Sequence, residues 1–261
     1  MKHVVPIVLT TLSLPLLCLP VRAANQNDIE EEVQAIRAST GVEVHYLYDA
    51  ATFFPADWQD DELLPRGQQV SLEEVKRTLP LIRRFLSSYS GELIRADLTD
   101  IYLVANLSFY GKNFGGTSFL SSIYINVREE IPDEFLLARL HSEFSSILLR
   151  KHSFPKEKWE QVNPPNFRYI GSGVAMLDQR NLYGQSDNLL SNGFIVKYAQ
   201  SSLENDFNMM VDWLFTKQAR LNQLCEKYPL IRKKRDLVVE FYQSLSRQTT
   251  AIARLESQTK G

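Results

Sequence analysis

The sequence predicts an α+β fold. Three observations carry this: strand-like apolar or alternating runs in the first half, a long helix near the middle, and helical periodicity through most of the remainder. No internal repeat, low-complexity tract or Gly/Ser linker divides the chain, so residues 24–261 read as a single domain.

The elements follow in order. The start of the chain, MKHVVPIVLTTLSLPLLCLPVRAAN, has a basic residue (Lys2), an apolar run from Val4 to Leu19 and the small-residue exit Val21-Arg22-Ala23. These are the parts of a secretory signal, too short to be a membrane span, with cleavage expected after Ala23. A lipoprotein signal ending at Cys18 is the rival reading, but it wants a small residue before the cysteine and finds Leu17. The protein is therefore expected to be exported, to the periplasm or beyond, with no transmembrane span in the mature chain. Next, 28-DIEEEVQAIRAST-40 reads as a helix with Asp28 as its cap and Gly41 as its stop. Residues 42-VEVHYLY-48 alternate as a strand, and 55-PADWQDDELLPRG-67 reads as a surface loop. Ser71 with Glu74 forms a capping box that opens a helix to about Tyr89, with Pro80 expected to kink or interrupt it. The runs 101-IYLVANLSFY-110 and 118-SFLSSIYINV-127 are two strands separated by 111-GKNFGG-116. Pro132 and Asp133 open a helix to Lys151, and a long irregular stretch rich in Pro and Gly follows. Helices are expected from Ser202 or Asn205 to Glu226, and from Leu230 to Arg254.

Composition excludes several function classes. Lys plus Arg total 29 against 31 Asp plus Glu, for a net charge of −2, so no broad positive surface is available for nucleic acid. The one basic cluster, 232-RKKR-235, falls in a helical pattern and reads as a solvated face. With the leader removed, Cys225 is the only cysteine, which rules out an internal disulfide and a cysteine-rich metal site.

The informative stretch is 139-RLHSEFSSILLRKH-152. Spelled HHEFSHILL, its core would be a zinc-binding helix, because histidines at i and i+4 place two imidazoles on one face and the intervening Glu acts on the metal-bound water. Here it reads HSEFSSILL. With Glu143 as the base, the ligand positions are Ser142 and Ser146; with His141 as first ligand, the partner is Ser145. Neither register gives two histidines, and neutral hydroxyls are poor zinc ligands. His141 and Glu143 diverge by about 200° on the helix. His141 reads as a hydrogen-bonded histidine beside Phe144 and Leu148, His152 as a helix C-terminal cation, and Glu143 as solvated or paired with Arg139 at i−4.

From about Val42 to Leu245 the chain resembles the zinc-binding metallopeptidases of bacterial envelopes, many of them lipoproteins linked to substrate import. The segments 140-LHSEFSSIL-148, 167-FRYIGSG-173 and 193-GFIVKYAQSSLENDFNMMVDWLF-215 carry the resemblance. It implies a zincin-like domain with a small mixed or antiparallel sheet, a central motif helix and a helical C-terminal half. It also implies Glu143 as the base, Ser142, Ser146 and Met209 at degenerate ligand positions, and Asp206 or Asp212 as the later carboxylate. No cofactor follows from the residues themselves; zinc is the metal that the resemblance brings.

Two functions remain open. One is a secreted metallopeptidase-like protein, without the usual zinc site, that binds a peptide or an envelope protein in a cleft between 118–127 and the motif helix. The other is an active metal-dependent hydrolase with an atypical site built from Glu143, His141 and Asp206 or Asp212. A serine nucleophile at Ser142, Ser145 or Ser146 lacks both a Gly-x-Ser-x-Gly elbow and a triad partner.

Overall fold

The computed structural model describes residues 19–59 and 62–245. Most of the predicted leader, Cys18 included, and the end of the last predicted helix lie outside the described residues. Helix α1 spans Leu19–Thr40, so Asp28 lies inside it and does not cap it. Gly41, at φ +85°, stops the helix as expected, in a conformation that costs glycine little.

The sheet supports the predicted class and is mixed. Strand β1 (Glu43–His45) runs parallel to β3 (Asp100–Phe109), which runs parallel to β6 (Ser122–Asn126); β5 (Gly116–Phe119) closes the edge antiparallel to β6. Short strands β2 (Arg66–Gln68) and β4 (Lys112–Asn113) pair antiparallel with the far end of β3. The single strand expected over 118–127 is thus two. Leu120, at φ +50°, turns the chain between them without the glycine or asparagine that usually announces such a turn.

Period-two alternation divides the sheet between two apolar clusters. Ile101, Leu103, Ile123 and Ile125 face the helices and join the main core. Tyr102, Val104 and Tyr124 face the other way, into a smaller cluster with Phe53, Phe54 and Trp58. The loop over 55–67 is therefore more than a surface excursion, because its 3₁₀ turn at Ala56–Trp58 sets Trp58 against Tyr124, with ring centroids 5.0 Å apart.

Helix α2 (Leu72–Leu86) opens with the predicted Ser71–Glu74 capping box and runs on through Pro80. After α3 (Gly91–Asp97), α4 (Asp133–Lys151) crosses the sheet as the motif helix. Every residue from Leu140 to Leu149 is buried, so this helix is enclosed on all sides by α2, the sheet and α8 (Leu203–Thr216). His152 is the C-cap residue of this helix and its Nε2 lies 2.7 Å from Asp97 Oδ2. Three short helices, α5 (Lys156–Val162), α6 (Gly173–Met176) and α7 (Asp187–Ser191), punctuate the irregular stretch.

The late helix expected to run to Glu226 breaks at Lys217 into α8 and α9 (Gln218–Lys227), and α10 (Pro229–Leu245) packs behind α8. The solvated reading of 232-RKKR-235 fails at one residue. Lys234 is fully buried, its Nζ 2.6 Å from Asp206 Oδ2 and 4.0 Å from the Phe194 ring centroid. A buried ammonium needs a hydrogen-bonded counter-ion, and Asp206 supplies it. Among the described residues no helix is long and apolar enough to cross a membrane.

Candidate functional site

A cleft of about 570 Å³ opens between the edge strand β5, helix α4 and the N-terminal part of α8. Each wall follows from a local feature. Cross-strand neighbours share a face, so Ser118 and Gly116, opposite Ile123 and Ile125, point toward α4. Ser118 Oγ accepts from Arg150 Nη2 at 3.1 Å, and Arg150 also lies 3.6 Å from Glu204. The Asn126 amide donates to the Gly115 carbonyl, which makes that pair a hydrogen-bonded one. The alternation of antiparallel ladders then leaves the amide and carbonyl of Gly116 and of Ser118 turned outward, along the cleft.

Glu143 projects from α4 into this cleft and is buried, not solvated. Burial pushes its carboxyl up to about 7; Arg139 pulls the other way, and Glu204 reinforces the rise. Asp212, on α8, is pushed up to about 7 by the same cause, with Arg139 and the Ser142 hydroxyl opposing and Glu143 adding to the shift. Asp212 lines a smaller cavity of about 140 Å³ together with Met209 and Arg139, and its buried Oδ1 has no hydrogen-bond partner among the described residues.

The two serines share one helix face, and that face meets α8. Asn208 Nδ2 donates to Ser146 Oγ at 2.8 Å, while Asn208 Oδ1 accepts from Ser145 Oγ at 2.5 Å. Ser145 also bonds back to the Ser142 carbonyl at 2.8 Å.

The other predicted metal residues do not converge on Glu143. His141 points to the opposite side of α4. It shares a 2.7 Å hydrogen bond with Tyr89, stacks on Phe215 at 4.3 Å, and is pushed down to about 3 by burial, with Arg84 adding to the shift. The divergence of positions i and i+2 on a helix is the reason. Asp206 faces α10: its Oδ2 accepts from Lys234, from Tyr169 at 2.7 Å and from Trp159 at 3.1 Å, which leaves it no role in the cleft. Met209 is packed in the core.

A zinc hydrolase needs about three protein donors from His, Cys, Asp or Glu around an open position. Among the described residues no three such side chains come together. The donors nearest Glu143 are the hydroxyls of Ser142 and Ser146, the latter engaged by Asn208, and the positive charge that acts on both Glu143 and Asp212 is that of Arg139. The described residues do not fit the usual zinc ion.

Residues 125–246 match the family described as "Putative zinc-binding metallo-peptidase". The chain resembles this family. The matched stretch begins at the end of β6 and takes in α4 and α8, so β5 lies outside it. The fold is also similar to the crystal structure of a putative zinc-binding metallo-peptidase from Bacteroides caccae, with a TM-score of 0.59 over 88% of this chain and 92% of that one. The two chains are 15% identical, so this likeness concerns the fold alone. Comparison with curated proteins finds no match.

Arg139, Arg150 and Asn208 are cleft residues that the motif did not point to. Arg139 appeared in the sequence only as an i−4 neighbour of Glu143. The signal for its position is the pair Gly115-Gly116, which makes room for it beneath the hairpin.

Proposed function

We propose that this chain is a metallopeptidase-like protein that captures an extended peptide, or a segment of an envelope protein, in the cleft along β5, and that it works without the family's zinc chemistry. The observation that carries this reading is the edge strand. Gly116 and Ser118 turn backbone donors and acceptors outward along an open cleft, and such an edge binds a peptide by adding it as a further strand. The floor beneath it is made of Ser142 and of Ser146, which is hydrogen-bonded to Asn208, where a hydrolase would hold metal. The leader-like pattern of residues 1–23 supports a reading in which this activity lies outside the cytoplasm.

The test uses the whole mature protein and a randomised hexapeptide pool. Ser118→Pro removes the outward amide of residue 118 without touching an inward ladder bond, whereas Ser118→Ala keeps it. The proline variant should retain at least about tenfold less peptide than wild type, a loss the size of one or two backbone hydrogen bonds, and the alanine variant should stay close to wild type. Equal retention by all three would overturn the reading.

A further inference from the structure

Arg139 leaves α4 one turn before Glu143 and passes under the start of β5. The two glycines make room for this passage. A methyl group on Gly116 would lie 2.9 Å from Arg139 Cγ, and one on Gly115 would lie 3.2 Å from Nε. The arginine thereby borders both the main cleft and the smaller cavity beside Asp212.

Its hydrogen-bond donors are not all used inside the protein. A guanidinium carries five N–H donors in a rigid fork. The one hydrogen bond that Arg139 makes among the described residues is Nη2 to the Tyr183 hydroxyl, at 3.4 Å. Glu143, Asp212, Tyr183 and Tyr198 all feel its field, but no carboxylate among the described residues comes within the 4.0 Å of an ion pair. Arg150 is different, because Ser118 and Glu204 both engage it. A cleft whose backbone donors can take a peptide therefore also holds, beside Gly116, a cation with unspent donors.

We infer that Arg139 anchors the ligand, and that the peptide taken by this cleft presents a carboxylate to the guanidinium, from a free C-terminus or from an Asp or Glu side chain. The inference rests on the peptide-capture reading above. Carboxylate matches the fork of arginine in a bidentate pair, and the residues preceding it would lie alongside Ser118.

The experiment passes three randomised hexapeptide pools over the immobilised whole protein and counts retained peptides by mass spectrometry. One pool has free C-termini and no acidic side chains, one is C-amidated and neutral, and one is C-amidated with a single Glu. Wild type should retain at least one of the carboxylate pools about tenfold or more over the neutral amides, and which one identifies the source of the carboxylate. Arg139→Gln should bring both carboxylate pools down to the neutral level, while Arg150→Gln keeps the preference. Equal retention of all pools by wild type overturns the carboxylate inference and leaves peptide capture standing. Retention of none overturns both. A preference that survives Arg139→Gln and disappears in Arg150→Gln overturns the assignment to Arg139. If Arg139→Gln does not fold, Arg139→Lys decides: it keeps the charge but loses the fork, and should reduce the preference without abolishing it.

Discussion

The side-chain amide of Asn208 holds Ser146, donating 2.8 Å to its Oγ while its own carbonyl takes the Ser145 hydroxyl. One residue of α8 thus satisfies two buried hydroxyls of α4. Asn208→Ala should leave the Ser146 hydroxyl without its donor and the Ser145 hydroxyl with only the Ser142 carbonyl, and cost about 1–3 kcal/mol, read as a lowered midpoint in urea denaturation. A change within about 0.5 kcal/mol, the range of ordinary surface substitutions, would show that the bridge holds nothing.

Glu143 gives the cleft a pH signature. Its folded carboxyl sits at about 7 because of burial, above the ordinary value of 4.5. The folded state therefore holds this proton more tightly than the unfolded chain. The penalty is absent below 4.5, grows as pH rises to about 7 and stays constant above that, reaching roughly 3 kcal/mol. Glu143→Gln removes the titration. Its stability relative to wild type should rise between pH 5 and pH 8 in thermal melts, and a flat difference would place Glu143 in a wetter setting than the cleft floor.

Lys234 and Asp206 tie α10 to α8 through a buried pair. Lys234→Met would leave the Asp206 carboxyl with its bonds from Trp159 and Tyr169 but no cation, at a cost of about 3–5 kcal/mol near neutral pH. Burial already raises this carboxyl above its usual range, and loss of Lys234 raises it further. The folded state then favours the protonated form, so the cost should shrink as pH falls toward 5. Denaturation at pH 5 and pH 7.5 checks both the magnitude and the sign.

How much of this was legible follows from where the physics is local. The Ser71–Glu74 box, the Gly41 stop and the span of α4 depend on neighbouring residues, and the sequence shows them. The turn at Leu120 depends on pairing between β5 and β6, and the burial of Lys234 depends on Asp206, 28 residues away. Neither leaves a trace in its own segment. The face shared by Ser142 and Ser146 was legible from the helical period, whereas their partner Asn208 and the passage of Arg139 under Gly116 arise only when α8 and β5 close on α4.

His141 supplies a control on the metal question. Its ring is committed to Tyr89 and Phe215 on the far side of α4 from the cleft. His141→Phe should lose the Tyr89 hydrogen bond and about 1–3 kcal/mol of stability, yet leave zinc uptake and peptide retention unchanged. Loss of stoichiometric zinc in a folded His141→Phe protein would restore the atypical-hydrolase reading.

The most direct measurement is a zinc titration of chelator-treated whole protein, wild type beside Ser142→His/Ser146→His. The double variant places two imidazoles at i and i+4 around Glu143, with Asp212, whose Oδ1 has no hydrogen-bond partner among the described residues, near position 142. The account predicts no stoichiometric site in wild type and one in the double variant, bound at least about tenfold more tightly, the scale on which even outer-shell groups alter metal affinity. One equivalent of zinc held by wild type as firmly as by the double variant would contradict it, because Ser142 and Ser146 could not then be the floor of a metal-free peptide cleft.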